Sequence, residues 1–170
     1  MTEKLLLDVT SIITYISDIC RDPNIQQRYE NWESRSKLIS EQIKNESEDP
    51  IFPKLQKVFE NKTLCTTMSA WDKARSLIEN FGSDLENKNL KSLSEEISLL
   101  EDDPSERIRK LNRKYWSKLN KSVFGTADKL NMKVVTGNVN VISSLINDHD
   151  INLEYIAHRS RCFVGKKHQL

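Results

Sequence analysis

The stretch Lys4-Leu5-Leu6-Leu7-Asp8-Val9-Thr10-Ser11-Ile12-Ile13 decides how the rest of the chain is interpreted. Its leucines are consecutive, which is typical of a strand that is covered on both faces in a parallel sheet. The apolar run ends at Asp8, two residues before the hydroxyl of Thr10. Because ligands bind at the carboxyl ends of strands in such sheets, Asp8 is a candidate site residue. The alternative is that Asp8 or Thr10 only caps the following helix.

The composition fits one globular domain without a membrane segment. The chain has 170 residues, of which 37% are hydrophobic and 30% charged, and this length can bury a substantial core. No apolar run approaches the roughly 18 residues of a membrane span, and the apolar patch near the amino terminus is too short for a secretory signal. We therefore expect no membrane partner and a cytoplasmic or nuclear location.

Several classes of site lack their motifs. The three cysteines (Cys20, Cys65 and Cys162) have no CxxC spacing, so we expect reduced thiols rather than a disulfide framework or a zinc ribbon. The sequence contains no GxxxxGK[ST], GxGxxG, HExxH or GxSxG motif, which argues against nucleotide, zinc and serine-hydrolase chemistry. An aspartyl phosphatase needs a second acid two residues after the first. Thr10 occupies that position, which argues against this class of enzyme.

Charge is unevenly distributed, although the net charge is only +1. Residues 79–103 contain eight acids and two lysines, whereas residues 105–133 contain nine Lys or Arg and two acids. Four more basic residues follow in 158–170. The basic half is suited to a phosphate backbone. The alternative is that the two blocks pair with each other or lie on solvated helix faces.

Apolar runs and helical periodicity alternate along the chain. Strands are predicted at the opening stretch and at Thr63–Thr67, Met132–Thr136 and Ile151–Ala157. Helices are predicted between them, including one helix from Glu106 to about Leu119 and another from Asn120 to Asn131. Strands separated by helices predict an α/β fold on a mainly parallel sheet.

Three blocks of the sequence resemble the PIN (PilT N-terminus) nuclease superfamily. Leu5 to Ile13 is similar to its opening signature, an apolar strand running into Asp, a small residue and a hydroxyl residue, followed by an apolar helix. Thr66-x-x-Ser69-x-x-Asp72 is similar to its second block, with Asp in place of Glu. Phe124-Gly125-Thr126-Ala127 followed by Val134-Val135-Thr136-Gly137-Asn138 resembles its later block.

The resemblance implies a three-layer α/β/α fold with a mainly parallel central sheet of about four to five strands and extra helices. It implies a single PIN-like domain over residues 1–170, with a helical insertion at about 83–119. More narrowly, Val123–Asp128, Val135–Asn138 and His158–Arg161 look like a eukaryotic family of PIN-like domains that is labelled as a domain of unknown function. Members of that family typically carry a further amino-terminal region.

The resemblance also implies a metal-dependent ribonuclease that hydrolyses RNA phosphodiesters with a carboxylate-bound Mg²⁺ or Mn²⁺. The implied catalytic residues are Asp8, Asp72, Asp128 and Asn138, and the implied metal ligands are Asp8, Asp72, Asp128 and Asn120. The implied RNA-binding residues are Thr10, Arg109, Lys110, Arg113, Arg159 and Arg161.

Two departures weaken the enzymatic interpretation. Asn138 and Asn120, which stands 18 residues earlier, occupy positions where the superfamily has acids. An amide offers one carbonyl oxygen but no charge, so a divalent ion would bind more weakly. Asp128 is a possible substitute two turns along the same helix, and the alternative is that it is a surface carboxylate.

Two non-enzymatic hypotheses therefore stay open. One is a catalytically degenerate PIN-like module that binds RNA or a protein partner. The other is an interaction domain whose acidic and basic helices bind a protein partner or a second copy of the chain.

Overall fold

The structure is a computed structural model that describes residues 1–31, 36–112 and 114–166. In chain order its elements are β1 (Lys4–Leu7), α1 (Val9–Ile16), α2 (Asp18–Arg21), α3 (Ile25–Glu30), α4 (Lys37–Glu48), α5 (Phe52–Phe59), β2 (Thr63–Thr67), α6 (Met68–Phe81), α7 (Asp84–Glu96), β3 (Ser98–Leu100), α8 (Glu106–Arg109), α9 (Lys118–Leu130), β4 (Lys133–Thr136), α10 (Val139–Ser143), a π-helical turn (Ser144–Asp148) and β5 (Tyr155–Ala157). Of the helices in these ranges, none has the length and apolar character that a membrane span requires.

The five strands form one sheet in the order β3-β2-β1-β4-β5, and every neighbouring pair is parallel. The opening stretch therefore supplies the central strand. The three leucines of β1 are at most 1% exposed, as expected for a strand covered on both faces. The predicted α/β class with a mainly parallel sheet of four to five strands is confirmed.

The side chains of β1 point alternately into two cores, which explains why the run is continuously apolar. Leu5 and Leu7 pack with apolar residues of α1, α5, α6 and α7 on one face of the sheet. Leu6 packs with residues of α8, α9 and α10 on the other face. Each buried leucine stabilises the fold by roughly 1.5–3 kcal/mol.

A third, smaller core holds the segment that follows β5 against α2, α3 and α4, through Val164. Buried polar bonds fix the same segment. The carboxylate of Glu86 accepts backbone N–H bonds from Asp18, Ser83, Val164 and Gly165 at 2.8–3.1 Å. Burial raises the pKa of Glu86, as does the neighbouring Asp18, whereas these N–H groups lower it. Both apolar packing and buried hydrogen bonds therefore hold the segment after β5 in place.

One strand lies where the sequence predicted only a helical insertion. Ser98–Leu100 form β3, which pairs with β2, and α7 ends before it at Glu96. Leu99 is exposed and Ile97 is buried, so the short strand has no alternating pattern that the sequence could reveal. Pairing with the edge of β2 overrides the weak helical periodicity of this acidic stretch.

The single helix predicted from Glu106 to Leu119 is wrong. Only α8 forms, over four residues, and α9 does not begin until Lys118. A continuous helix would place Tyr115 in the core, but Tyr115 is 36% exposed and Trp116 is buried instead. The indole Nε1 of Trp116 donates to the hydroxyl of Ser144. Burial of this larger ring accounts for the break in the helix.

Candidate functional site

All five strands end at the same side of the sheet, which we call the carboxyl edge. Asp8 follows β1, Thr67 ends β2, Asp102 lies shortly after β3, Thr136 ends β4 and His158 follows β5. Ligands bind at this side in parallel sheets. The carboxyl edge is therefore where the predicted site residues should meet.

Asp8 is 5% exposed, and its carboxylate accepts three hydrogen bonds. Oδ1 accepts the hydroxyl of Thr10 at 2.7 Å and the backbone N–H of Ser11 at 2.9 Å. Oδ2 accepts the hydroxyl of Thr136. The bond from Ser11 makes Asp8 the N-cap of α1, so the capping interpretation is confirmed, while a catalytic or metal-binding role stays a prediction.

The two threonines link Asp8 to the turn after β4. Gly137 N–H donates to Oγ1 of Thr10, and Asn138 N–H donates to Oγ1 of Thr136, both at 2.8 Å. A Cβ on Gly137 would lie 2.0 Å from the hydroxyl of Ser160. A larger residue at this position would therefore require the Ser160 side chain to move, and the turn brings Asn138 close to Asp8 through one intervening hydroxyl.

Ser11 and His158 form a pair that the sequence did not predict, because they are 147 positions apart. The Ser11 hydroxyl lies 2.7 Å from Nε2 of His158 and 2.7 Å from the carbonyl of Val135. Nδ1 of His158 lies 3.0 Å from the carbonyl of Arg159. Burial lowers the pKa of His158. This hydrogen-bonded pair connects His158, the residue after β5, to Ser11 of α1.

Asp102 is a second carboxylate at the carboxyl edge that the sequence analysis missed. Its carboxylate accepts the hydroxyl of Ser69 at 2.5 Å, the N–H of Ser69 at 3.2 Å and the hydroxyl of Ser122. Burial raises the pKa of Asp102, but the hydrogen bonds from Ser122 and Ser69 outweigh it, so that the pKa lies below its usual value. The only signal in the sequence was a run of acids after Leu99-Leu100. These two leucines are too short an apolar run to mark the end of a strand.

Asp72 does not join Asp8. It lies on the exposed side of α6, where its side chain is 65% exposed and lies 3.5 Å from the guanidinium of Arg75. Ser69, three residues earlier, is the residue of this block that reaches the carboxyl edge through Asp102. The expected convergence of Asp72 with Asp8 is therefore not observed, because the first turn of α6 directs Ser69 inward and Asp72 outward.

Asp128 and Asn120 are also engaged elsewhere. The Asp128 carboxylate binds the guanidinium of Arg107 and accepts the hydroxyl of Ser105 at 2.6 Å. The hydrogen bond from Arg107 holds the pKa of Asp128 below its usual value. The Asn120 side chain donates to the carbonyl of Tyr115 at 2.7 Å. Asp128 thus anchors α8 to α9, and Asn120 anchors the preceding loop.

The predicted RNA-binding cations differ in accessibility. Arg159 is exposed, but Arg161 is 3% exposed and its Nε donates to Glu46 at 2.8 Å, so Arg161 is an internal ion-pair residue with no surface for RNA. Arg109 lies within 3.9 Å of Asp103 and Glu106, and Lys110 lies 3.1 Å from Glu106. Arg113 lies outside the described residues.

Two other lysines stand at the carboxyl edge without such pairing. α9 connects the carboxyl side of the sheet to the start of β4, so its first turn lies at the carboxyl edge, where Ser122 contacts Asp102. Lys118 and Lys121 are in this first turn. Within the described ranges neither has a carboxylate at ion-pair distance. Cations at a helix N-terminus oppose the helix dipole by about 0.3–1 kcal/mol each, so an anion bound there would relieve an existing repulsion.

The resemblance implies a bound Mg²⁺ or Mn²⁺. Such ions need several converging oxygen ligands. Among the residues that the structure describes, no three His, Cys, Asp or Glu side chains lie close enough together to hold a metal ion. The predicted ligand set does not fit the ion, because Asp72 and Asp128 are paired with arginines away from Asp8.

A comparison with protein-family models matches residues 5–170 to the family described as "Protein of unknown function (DUF1308)". The match begins at the first buried residue of β1 and includes all five strands.

Proposed function

The chain belongs to the DUF1308 family, and from its carboxyl edge we propose that it is an RNA-binding module with a PIN-like fold whose metal-dependent cleavage site is incomplete. The observation that carries the proposal is the pair Lys118 and Lys121 in the first turn of α9. Their charges are not neutralised by a carboxylate in the described part of the chain. A phosphate backbone would supply that neutralisation and release counterions.

Nearby residues extend this surface. Lys114 and Tyr115 precede α9 and are exposed, with the ammonium 5.8 Å from the ring centroid. An exposed aromatic ring offers a stacking surface for an unpaired base, and such stacking contributes about 1–3 kcal/mol per base. The arrangement favours single-stranded RNA, because accessible bases are needed for stacking.

The proposal does not include RNA cleavage, because the predicted metal ligands do not converge on one point. Asp8 accepts three hydrogen bonds from groups of its own fold, and the other predicted acids are bound to Arg75 and Arg107. In this interpretation Asp8 is a structural carboxylate that joins β1, α1 and the turn after β4.

The test is fluorescence anisotropy with a 5′-labelled single-stranded RNA of twelve uridines. We expect the variant Lys118→Glu/Lys121→Glu to bind at least about tenfold more weakly than the wild type, with a smaller dependence of affinity on salt. The matched control is Lys88→Glu/Lys91→Glu, which changes two exposed lysines with the same spacing on α7, across the sheet from α9. Equal loss of affinity in both variants would show only non-specific charge attraction and would refute the proposed surface.

The metal-dependent ribonuclease is the second candidate. It is favoured by one observation, namely that Asp8 and Asp102 both lie at the carboxyl edge. Its test is cleavage of the same RNA with Mn²⁺ by the wild type and by Asp8→Asn and Asp102→Asn. Manganese-dependent cleavage that both substitutions abolish would replace the first proposal, whereas cleavage that neither changes would point to a contaminating nuclease.

A further inference from the structure

β5 is a terminal strand of the sheet, and among the described residues only β4 pairs with it. Val134 N–H donates to the carbonyl of Glu154, and His158 N–H donates to the carbonyl of Thr136, both at 3.0 Å. In a parallel pair, alternate residues direct their N–H and C=O groups to the neighbouring strand. Tyr155 and Ala157 therefore direct theirs away from β4, and no described residue is hydrogen-bonded to these four groups.

A groove of about 260 Å³ runs beside the side of β5 that faces away from β4, between β5 and α5. Its apolar lining comes from Ile51, Leu55, Val58 and Ile156. Side chains of an added strand alternate between the two faces of the sheet. A strand paired to β5 would consequently place every second side chain over this groove.

The rim of the groove carries positive charge. Lys54 is paired with Asp49 at 2.5 Å, so its charge is neutralised. Arg159 is exposed and has no carboxylate at ion-pair distance among the residues described. Lys54 lowers the pKa of Asp49 and Arg159 also helps to lower it, so the rim carries two cations and one carboxylate, a net positive charge beside an apolar floor. This combination complements an apolar side chain followed by a carboxylate.

We propose that β5 and this groove bind an extended segment of a partner protein, which pairs with Tyr155 and Ala157 as a sixth strand. Its apolar side chain lies on Val58 and Ile156, the half-buried residues of the lining, and an acidic side chain near it pairs with Arg159. Strand addition at an open sheet edge supplies main-chain hydrogen bonds for affinity, and the groove supplies specificity. This inference is independent of the RNA-binding surface at α9.

The experiment selects random heptapeptides displayed on phage against the full chain and measures the enriched peptides by fluorescence polarisation. Ala157→Pro removes an outward N–H without removing a hydrogen bond to β4, and Pro is tolerated at such edge positions. Ala157→Thr keeps the N–H and serves as the matched control. We expect enriched peptides to carry an apolar residue near an acid, to bind the Thr variant like the wild type, and to bind the Pro variant about tenfold more weakly.

Amide spectra of the ¹⁵N-labelled wild type give a second measurement that does not depend on the folding of the Pro variant. The bound peptide should shift the amide resonances of Tyr155 and Ala157 more than those of β3. The proposal is overturned if no peptide is enriched, if binding leaves these resonances unchanged, or if the folded Pro variant binds equally well. It is also overturned if sedimentation shows that the wild type is a dimer and that Ala157→Pro dissociates it. In that case a second copy of the chain would occupy the unpaired side of β5.

Discussion

The hydroxyl of Thr136 donates to Oδ2 of Asp8, and this bond joins residues that lie 128 positions apart in the chain. It connects the ends of the central strand β1 and its neighbour β4. Thr10 completes the connection, since it donates to Asp8 and accepts the N–H of Gly137. Asp8, the acid of the opening stretch, is thereby the centre of a structural network.

Asp8→Asn should destabilise the fold even in the absence of any ligand. The amide has one acceptor oxygen, so it cannot accept all three hydrogen bonds and brings an amino group against donors. We expect a loss of about 2 kcal/mol in the free energy of unfolding, measured with urea. Asp72→Asn is the control, since Asp72 is exposed, and should stay within about 0.5 kcal/mol of the wild type. Equal effects of the two substitutions would contradict the structural role of Asp8.

Gly137→Ala should destabilise the turn after β4 because its Cβ would lie 2.0 Å from the Ser160 hydroxyl. Because the Ser160 hydroxyl can rotate away, we expect a loss of about 1 kcal/mol, the low end of the range for overpacking. The double variant Gly137→Ala/Ser160→Gly removes the clashing group and should recover much of the loss. Thermal melts of the four proteins of this cycle test the prediction. Additive losses would show that the two side-chain positions do not interact.

Arg161→Gln should destabilise the chain strongly, whereas Arg159→Gln should not. Arg161 is buried and paired with Glu46, and breaking a buried pair costs about 3–5 kcal/mol because one charge is left uncompensated. Urea unfolding of both variants is the measurement. If Arg161→Gln instead weakened RNA binding at unchanged stability, the buried position of Arg161 would be wrong.

Stability should fall in acid partly through Asp128. Its pKa is lower in the folded chain, because of the hydrogen bond from Arg107, than in the unfolded chain, where an Asp has a pKa of about 3.9. The stabilisation is therefore fully present above the unfolded value and is lost as the pH falls through the folded value. Asp128→Asn should be less stable than the wild type at pH 6, and the difference should shrink below about pH 4 in urea titrations. A difference independent of pH would exclude the ion pair as its cause.

The fold class could be predicted because β1, β2 and β4 are buried strands whose apolar character does not depend on distant residues. β3 and the break before α9 could not be predicted. β3 is fixed by pairing with β2, and the break is fixed by burial of Trp116 against Ser144. In both places tertiary contacts outweigh local periodicity.

The candidate site was less predictable than the fold. Asp8, Thr10 and the turn at Asn138 do lie together at the carboxyl edge, because strand ends could be identified from the sequence. Asp72 and Asp128 lie elsewhere because helix rotation and ion pairing decide where a helical carboxylate points. Asp102 was missed because the strand before it has only three residues.

The central place of β1 has a consequence for the order of events during synthesis. β1 is made before the other four strands, but its neighbours β2 and β4 begin only at residues 63 and 133. Its leucines thus remain without one sheet partner until most of the chain has been made. Parallel pairing over such separations is intrinsically slow and leaves apolar strands exposed to association. Nascent chains stalled before residue 133 should accordingly associate more readily than chains that include β4, because β1 then has only one of its two neighbours.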